Sequence, residues 1–254
     1  MNVKELQAIY VMWLRQMKRF IRARSRIVAT IIQPIFFLFI LGAGFNRAAI
    51  PGITGPYILF LAPGIVTMAI LFSSMFAGVS VLWDKQFGFL QEVLVAPVSR
   101  LSIIIGRTLG GATTALIQGF FILVIALVLG VQVSSAFGLL LAVAMMILTA
   151  FTAVGFGLIL ASKLNDFQGF PLIMNLIIMP LFFLSSAFFP LEALPSWAKT
   201  VAMVNPLFYM VDGVRGSLTG MNFTLDPLIN LGVLLVICIV VVILGSYFFS
   251  KSEA

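Results

Sequence analysis

The chain of 254 residues contains no histidine. That removes the side chain whose charge changes nearest neutral pH and the commonest protein ligand of transition metals. Ser/His/Asp and Cys/His nucleophilic sets are therefore impossible, and no Cys/carboxylate grouping has metal-ligand spacing. Cysteine occurs once, as Cys238 inside an apolar run. An internal disulfide is excluded, and a small packing residue is expected there. No GxxxxGK[ST] phosphate loop occurs, so nucleotide binding by that device is also excluded. Charge is scarce as well. Asp, Glu, Lys and Arg make up 9% of the chain, against about 25% in a soluble domain.

What replaces charge is hydrocarbon. The chain is 62% hydrophobic with a mean hydropathy of +1.19. Uncharged runs cover residues 27–46, 48–83, 108–162, 167–191 and 227–250. A membrane-crossing helix needs about 20 apolar residues. The run of 55 residues at 108–162 holds two, divided by the turn signal Gly130-Val131-Gln132-Val133-Ser134-Ser135. The expected fold is all-α and membrane-embedded, one domain over 1–254, with six spans at about 27–45, 57–83, 103–130, 136–161, 171–189 and 228–249. The hydrophilic stretches are too short to fold alone. The first 26 residues hold seven basic side chains and no apolar core of the signal-peptide type.

The net charge of +7 reports topology rather than nucleic-acid binding. With the N-terminus inside, 12 basic residues fall on inner segments (Lys4, Arg15, Lys18, Arg19, Arg22, Arg24, Arg26, Lys85, Arg100, Arg107, Lys163, Lys251), and Arg47, Lys199 and Arg215 fall outside. This is the positive-inside pattern, with both termini cytoplasmic. The acids Glu5, Asp84, Glu92, Asp166, Glu192, Asp212, Asp226 and Glu253 lie outside the spans or at their edges. Proton-driven carriers commonly place ionisable groups near the membrane midplane, and none is found there. Arg107 comes nearest, close enough to the inner end of span three to snorkel. A chain of this kind takes its energy from outside itself or needs none; sodium sites built from backbone and hydroxyl oxygens remain open.

Three segments outside the spans carry pattern. Residues 4–22 are amphipathic: Leu6, Ile9, Tyr10, Trp13, Leu14, Met17, Phe20 and Ile21 recur at helical spacing, with Lys4, Gln7, Arg15, Lys18, Arg19 and Arg22 largely elsewhere on the wheel. Such a helix lies in the inner interface, as an anchor on anionic headgroups or also as a contact for a soluble partner. Residues 190–227 are broken by Pro190, Pro195 and Pro206, yet Trp197, Val201, Met203, Leu207, Phe208, Tyr209 and Met210 are too apolar for a solvated loop. Short helices dipping into the outer leaflet fit both facts, covered by protein or facing a cavity. Asp212 and Arg215 are spaced to pair on one helical face, with a surface pair of little consequence the simpler expectation.

The third segment is 84–100, DKQFGFLQEVLVAPVSR. Residues 86–96 have helical potential, with Phe87, Leu90, Leu94 and Val93 on one side and Gln86, Gln91 and Glu92 off it; Pro97 stops the helix. A soluble partner gripping that stripe would move spans two and three; the alternative is a hairpin lying on the membrane. Within the spans, Gly106/Gly110, Ala115/Gly119 and Gly157/Ala161 repeat a small-xxx-small pattern that marks close helix packing.

This segment resembles the sequence after span two in integral membrane subunits of type-2 ATP-binding-cassette exporters. The shared elements are Gly88, Glu92-x-Leu94 and Ala96-Pro97-Val98-Ser99-Arg100. A second match is Phe189-Pro190-Leu191-Glu192, Leu194-Pro195-x-Trp197, Asn205-Pro206-Leu207 and Asp212-Gly213-x-Arg215. The group includes daunorubicin and multidrug efflux permeases and permeases for nodulation lipo-oligosaccharide and polysaccharides. The resemblance implies two membrane subunits working with two ATPase subunits that hold ATP and Mg²⁺, this chain holding no cofactor. It implies a coupling helix at about Gln86–Pro97 that contacts the ATPase through Phe87, Gly88, Leu90, Glu92, Leu94, Pro97 and Arg100. It further implies an outer hairpin carrying Pro190, Glu192, Pro195, Trp197, Asn205, Pro206, Asp212 and Arg215. The expected cargo is an amphipathic drug-like molecule, a lipid or a glycolipid. An ion-coupled carrier and a membrane scaffold without transport are the competing readings.

Overall fold

The computed structural model describes residues 3–46, 50–88, 98–164, 166 and 168–251. Among them the regular structure is helical: α1 (Val3–Arg22), α2 (Arg24–Gly44), α3 (Tyr57–Gln86), α4 (Arg100–Val128), α5 (Ala136–Lys163), α6 (Gly169–Phe183), a 3₁₀ turn (Leu191–Ala193), α7 (Ser196–Val204), α8 (Pro206–Thr219) and α9 (Pro227–Lys251). Five of these, over Ile27–Gly44, Tyr57–Asp84, Arg100–Val128, Ala136–Lys163 and Pro227–Phe248, are long and apolar enough to cross a membrane. They match five of the six expected spans within a few residues.

The sixth differs. Helix α6 has 15 residues, about 22 Å at 1.5 Å per residue, against a hydrocarbon thickness of about 30 Å. Its expected end at residue 189 moves back to Phe183 because the chain turns through Ser186, whose φ is +61°. A contact from far along the chain, described below, holds that turn. The amphipathic stretch 4–22 is helical as expected. Helix α1 stops at Arg22, and Arg24 opens α2.

Helix α3 is the centre of the bundle, with 83% of its span buried. It packs against α2, α4, α5 and α8 through Phe60, Leu61, Ile65, Met68, Leu71 and Met75. Without a hydrophobic drive between helices in lipid, small residues set how closely they approach. A Cβ on Gly78 would fall on the Gly157 carbonyl, so α3 and α5 cross backbone against backbone. A Cβ on Gly155 would lie 2.7 Å from Val241, and one on Gly245 3.0 Å from the Gly155 carbonyl, where α5 meets α9. Helices α2 and α9 present large apolar side chains outward, including Ile32, Phe36, Phe39, Val236 and Ile243.

Helix starts are fixed by side-chain caps. Ser99 accepts from the Ser102 amide at the head of α4, and Ser135 from Gly138 at the head of α5. Asn205 accepts from Leu207 at the head of α8, with Pro206 in the first turn. The turn after α4 passes through Gly130 at φ +95°, as its glycine signal suggests.

Candidate functional site

At one end of the bundle α1 docks along the first turns of α4. Glu5 reaches Ser99 and Ser102, Ile9 and Met12 face Gly106, and Trp13 and Gln16 face Gly110. A Cβ on Gly106 would stand 2.7 Å from both the Ile9 carbonyl and Met12 Cβ; one on Gly110 would stand 2.7 Å from Gln16 Cβ. The Gly106/Gly110 pair is thus a packing surface, as its spacing suggests, and its partner is the amphipathic helix rather than another span. Trp13 Nε1 donates to Thr113 Oγ1 at 3.2 Å and Gln16 Nε2 to Ser80 Oγ at 3.0 Å. Of the expected apolar stripe, Leu6, Tyr10 and Ile21 stay exposed.

A charge cluster locks this arrangement. Arg15 donates both terminal nitrogens to Asp84, at 2.8 and 2.7 Å. Arg19 Nη1 lies 3.5 Å from Asp84 Oδ1 and Arg107 Nη2 3.0 Å from Oδ2. One carboxylate on α3 therefore gathers arginines from α1 and α4. Asp84 and Arg107 are each 5% exposed. Asp84 stands at the edge of its span, as expected, but is buried there, and Arg107 is paired with it and buried instead of reaching out to water. The forked geometry suits guanidinium and carboxylate.

Glu5 forms a second tie. Its carboxylate accepts from the Ser99 amide at 3.2 Å, the Ser99 hydroxyl at 2.6 Å and the Ser102 hydroxyl. These bonds, Ser102 first and then Ser99, hold the carboxyl below its ordinary pKa. A carboxylate at the head of α4 also meets the positive end of that helix.

Segment 84–100 connects these elements. Leu90, Glu92, Leu94 and Pro97 lie outside the described residues. Helix α3 runs on through Gln86, so Asp84 and Gln86 belong to it rather than to a separate helix. Phe87 is 70% exposed and packs tilted against Trp83, ring centroids 5.4 Å apart. Gly88 has φ +74°, a left-handed step that turns the chain off the α3 axis. Arg100 is the first residue of α4 and exposed.

At the other end, α8 packs against α5, α9 and α3 and is buried from Val211 to Thr219. Arg215 and Asp212 are both fully buried and engage different partners, which corrects the expectation of a surface pair. Arg215 Nε donates to the Phe60 carbonyl at 3.1 Å and Nη2 to the Ser186 carbonyl at 2.7 Å, with its guanidinium 3.7 Å from the centre of the Phe60 ring. This holds the Ser186 turn that ends α6. Asp212 accepts from the amides of Thr224 and Leu225, at 2.8 and 2.9 Å, and from Asn230 Nδ2 at 2.9 Å. It thereby fixes the chain entering α9.

Asn205 Nδ2 donates to the Leu181 carbonyl at 2.6 Å, tying α8 back to α6. Pro190 is buried, while Glu192, Pro195 and Trp197 are exposed. Helix α7 buries its small Ala198 and Ala202 and exposes Trp197, Val201 and Val204. Thr54 and Asn222 clasp at this end, through Thr54 N to Asn222 Oδ1 at 2.8 Å and Asn222 Nδ2 to the Thr54 carbonyl at 3.0 Å.

Sequence reasoning missed Arg15, Arg19, Asp84 and Arg107 as one cluster, Glu5 as the tie to Ser99 and Ser102, and Asn230 as the partner of Asp212. Only the i, i+4 spacing of Arg15 and Arg19 hinted at a shared counter-charge. Between α2, α3 and α6 lies a cavity of about 490 Å³. Thr30, Gln33 and Asn175 supply polar atoms beside Phe72, Phe76 and Met179.

Comparison with known proteins agrees with this architecture. Residues 7–219 match the family described as ABC-2 type transporter. The chain is 28% identical to the ycf38 transport permease of Cyanophora paradoxa, over 97% of its own length and 89% of the relative's. It is 27% identical to the inner membrane transport permease YadH of Escherichia coli strain K12, over 92% and 90%. It is 27% identical to nodulation protein J of Rhizobium meliloti strain 1021, over 83% and 78%. The match runs from within α1 to the end of α8: the chain belongs to the ABC-2 type transporter family.

Proposed function

We propose that this chain is the permease subunit of an ATP-driven exporter. It moves an amphipathic drug-like, lipid or glycolipid cargo outward across the plasma membrane. A separate ATPase chain binds ATP and Mg²⁺, and this chain provides the path and the mechanical input. Two permease copies form the pathway, each one domain over 1–254 with α6 and the following hairpin completing a sixth span. The α1 end and both termini face the cytoplasm.

One observation carries the coupling reading. Asp84 sits at the edge of segment 84–100 and joins α1, α3 and α4 through Arg15, Arg19 and Arg107. A push on the segment is thereby delivered to three helices together. Phe87 is exposed there, and Leu90, Glu92, Leu94 and Pro97 follow it as the ATPase contact, with Arg100 at the far side. The hairpin residues follow the outer end of α3, to which Arg215 is bonded through the Phe60 carbonyl. Pulling down the tagged ATPase with wild-type permease and with Leu90→Asp/Leu94→Asp tests this. Co-purification should be lost in the variant; undiminished binding places the ATPase contact elsewhere.

A further inference from the structure

We propose that Arg15, Lys18, Arg19 and Arg22 form a binding site for the phosphodiester headgroup of an anionic phospholipid. The four residues stand at i, i+3, i+4 and i+7 and so share one face of α1. With Val11, Leu14 and Ala23 they line one open groove of about 600 Å³.

Charge decides the sign of the occupant. Asp84 contributes one negative charge against Arg15, Arg19 and Arg107. Lys18 and Arg22 add two further cations on the same face of α1. Among the described residues no carboxylate is ion-paired with Lys18 or Arg22.

Apolar surface decides its class. Val11, on the groove wall, is 58% exposed. Val28 and Ile32, further along on α2, are more than half exposed, and α2 is among the helices long and apolar enough to cross a membrane. A soluble phosphate would use the cations and leave this surface wet. A lipid uses both, with its phosphate in the groove and its acyl chains along α2. Arg15 and Arg19 then stand between two anions, the lipid phosphate and Asp84, so the lipid adds a counter-charge to the cluster that secures α1. The site rests on the orientation proposed above only for the leaflet it faces.

The experiment uses the purified full chain, without ATPase, nucleotide or cargo, in micelles of equal phosphatidylglycerol and phosphatidylcholine. Lipid retained by the protein is counted by native mass spectrometry. Wild type should retain phosphatidylglycerol about thirtyfold over phosphatidylcholine, the gain of two cations near a phosphate. Lys18→Gln/Arg22→Gln should bring the ratio close to one, and Arg22→Gln alone should lower it about fivefold. Lys4→Gln/Arg24→Gln removes the same charge outside the groove and should leave the ratio unchanged. The proposal falls if wild type shows no preference. It also falls if the Lys4/Arg24 variant loses as much as the groove variant, or if millimolar inorganic phosphate displaces the lipid, which would mark a soluble-anion site. Since no transport is measured, any of these failures leaves the exporter reading intact.

Discussion

Replacing Asp84 with Asn keeps the side chain's shape and removes the charge on which α1, α3 and α4 converge. Losing one partner of a fully buried ion pair costs about 3–5 kcal/mol, because the remaining charge stays desolvated. Here only Arg107 fits that case, its side chain being 6% exposed. The side chains of Arg15 and Arg19 are 30% and 34% exposed, so solvent screening limits each to about 1 kcal/mol or less. Asn keeps one acceptor oxygen, which recovers part of the loss. The expected destabilisation is therefore about 2–4 kcal/mol, most of it from Arg107.

A double-mutant cycle isolates that share. Arg107→Met alone should also destabilise. In Asp84→Asn/Arg107→Met no desolvated cation remains, and about 2 kcal/mol of the summed loss should be recovered. Denaturation in detergent, followed by helical circular dichroism, measures the energies. Maleimide labelling of an Ile9→Cys variant reports whether α1 leaves Gly106. Unchanged stability together with unchanged Ile9 protection in Asp84→Asn would refute the lock.

Four further outcomes are expected. Gly106→Val should cost about 1–3 kcal/mol by overpacking and should raise Ile9→Cys labelling without disturbing the hairpin end. Arg215→Lys loses the fork joining the Phe60 and Ser186 carbonyls; it should cost about 2–3 kcal/mol and make the 184–195 segment sensitive to protease. Asp212→Asn should cost about 1–3 kcal/mol by weakening the bonds to the Thr224 and Leu225 amides. Glu5 has a lowered folded-state pKa, so its tie is complete above the ordinary value of 4.5 and is lost as pH falls through the folded value. Ile9→Cys labelling in conditions tolerant of acid should rise only at a pH below the ordinary value of 4.5 and lose that step in Glu5→Gln; an identical step in the variant refutes the assignment.

The long helices were legible because lipid demands uninterrupted apolar length, and the uncharged runs at 48–83, 108–162 and 227–250 record it directly. The end of α6 was not legible. It is set by Arg215 gripping Ser186, a contact 29 residues apart that leaves no local signature. The fate of Asp84 was hidden for the same reason: Arg15 lies 69 residues away and Arg19 65. A lone acid after a Trp at the close of an apolar run reads as a boundary marker until its partners are known. Gly106 and Gly110 announced a close approach, but spacing within one helix cannot say which helix approaches. Asp212 and Arg215 drew notice through their spacing and are buried rather than on the surface. Their i, i+3 spacing suggested each other, whereas burial turned both toward backbone groups.

The crossing of α3 and α5 at Gly78 and Gly157 has no side chains interleaved at its point of contact. Two rods touching there can rock about that point as on a fulcrum, with no ratchet of knobs to climb. Along α3, Asp84 lies six residues to one side of Gly78 and Phe60 eighteen to the other. At 1.5 Å per residue these arms are about 9 Å and 27 Å. Any tilt of α3 about the glycine contact would therefore carry the Phe60 end roughly three times as far as the Asp84 end, in the opposite sense. Since the Phe60 carbonyl is bonded to Arg215, the hairpin would travel on the long arm of that lever.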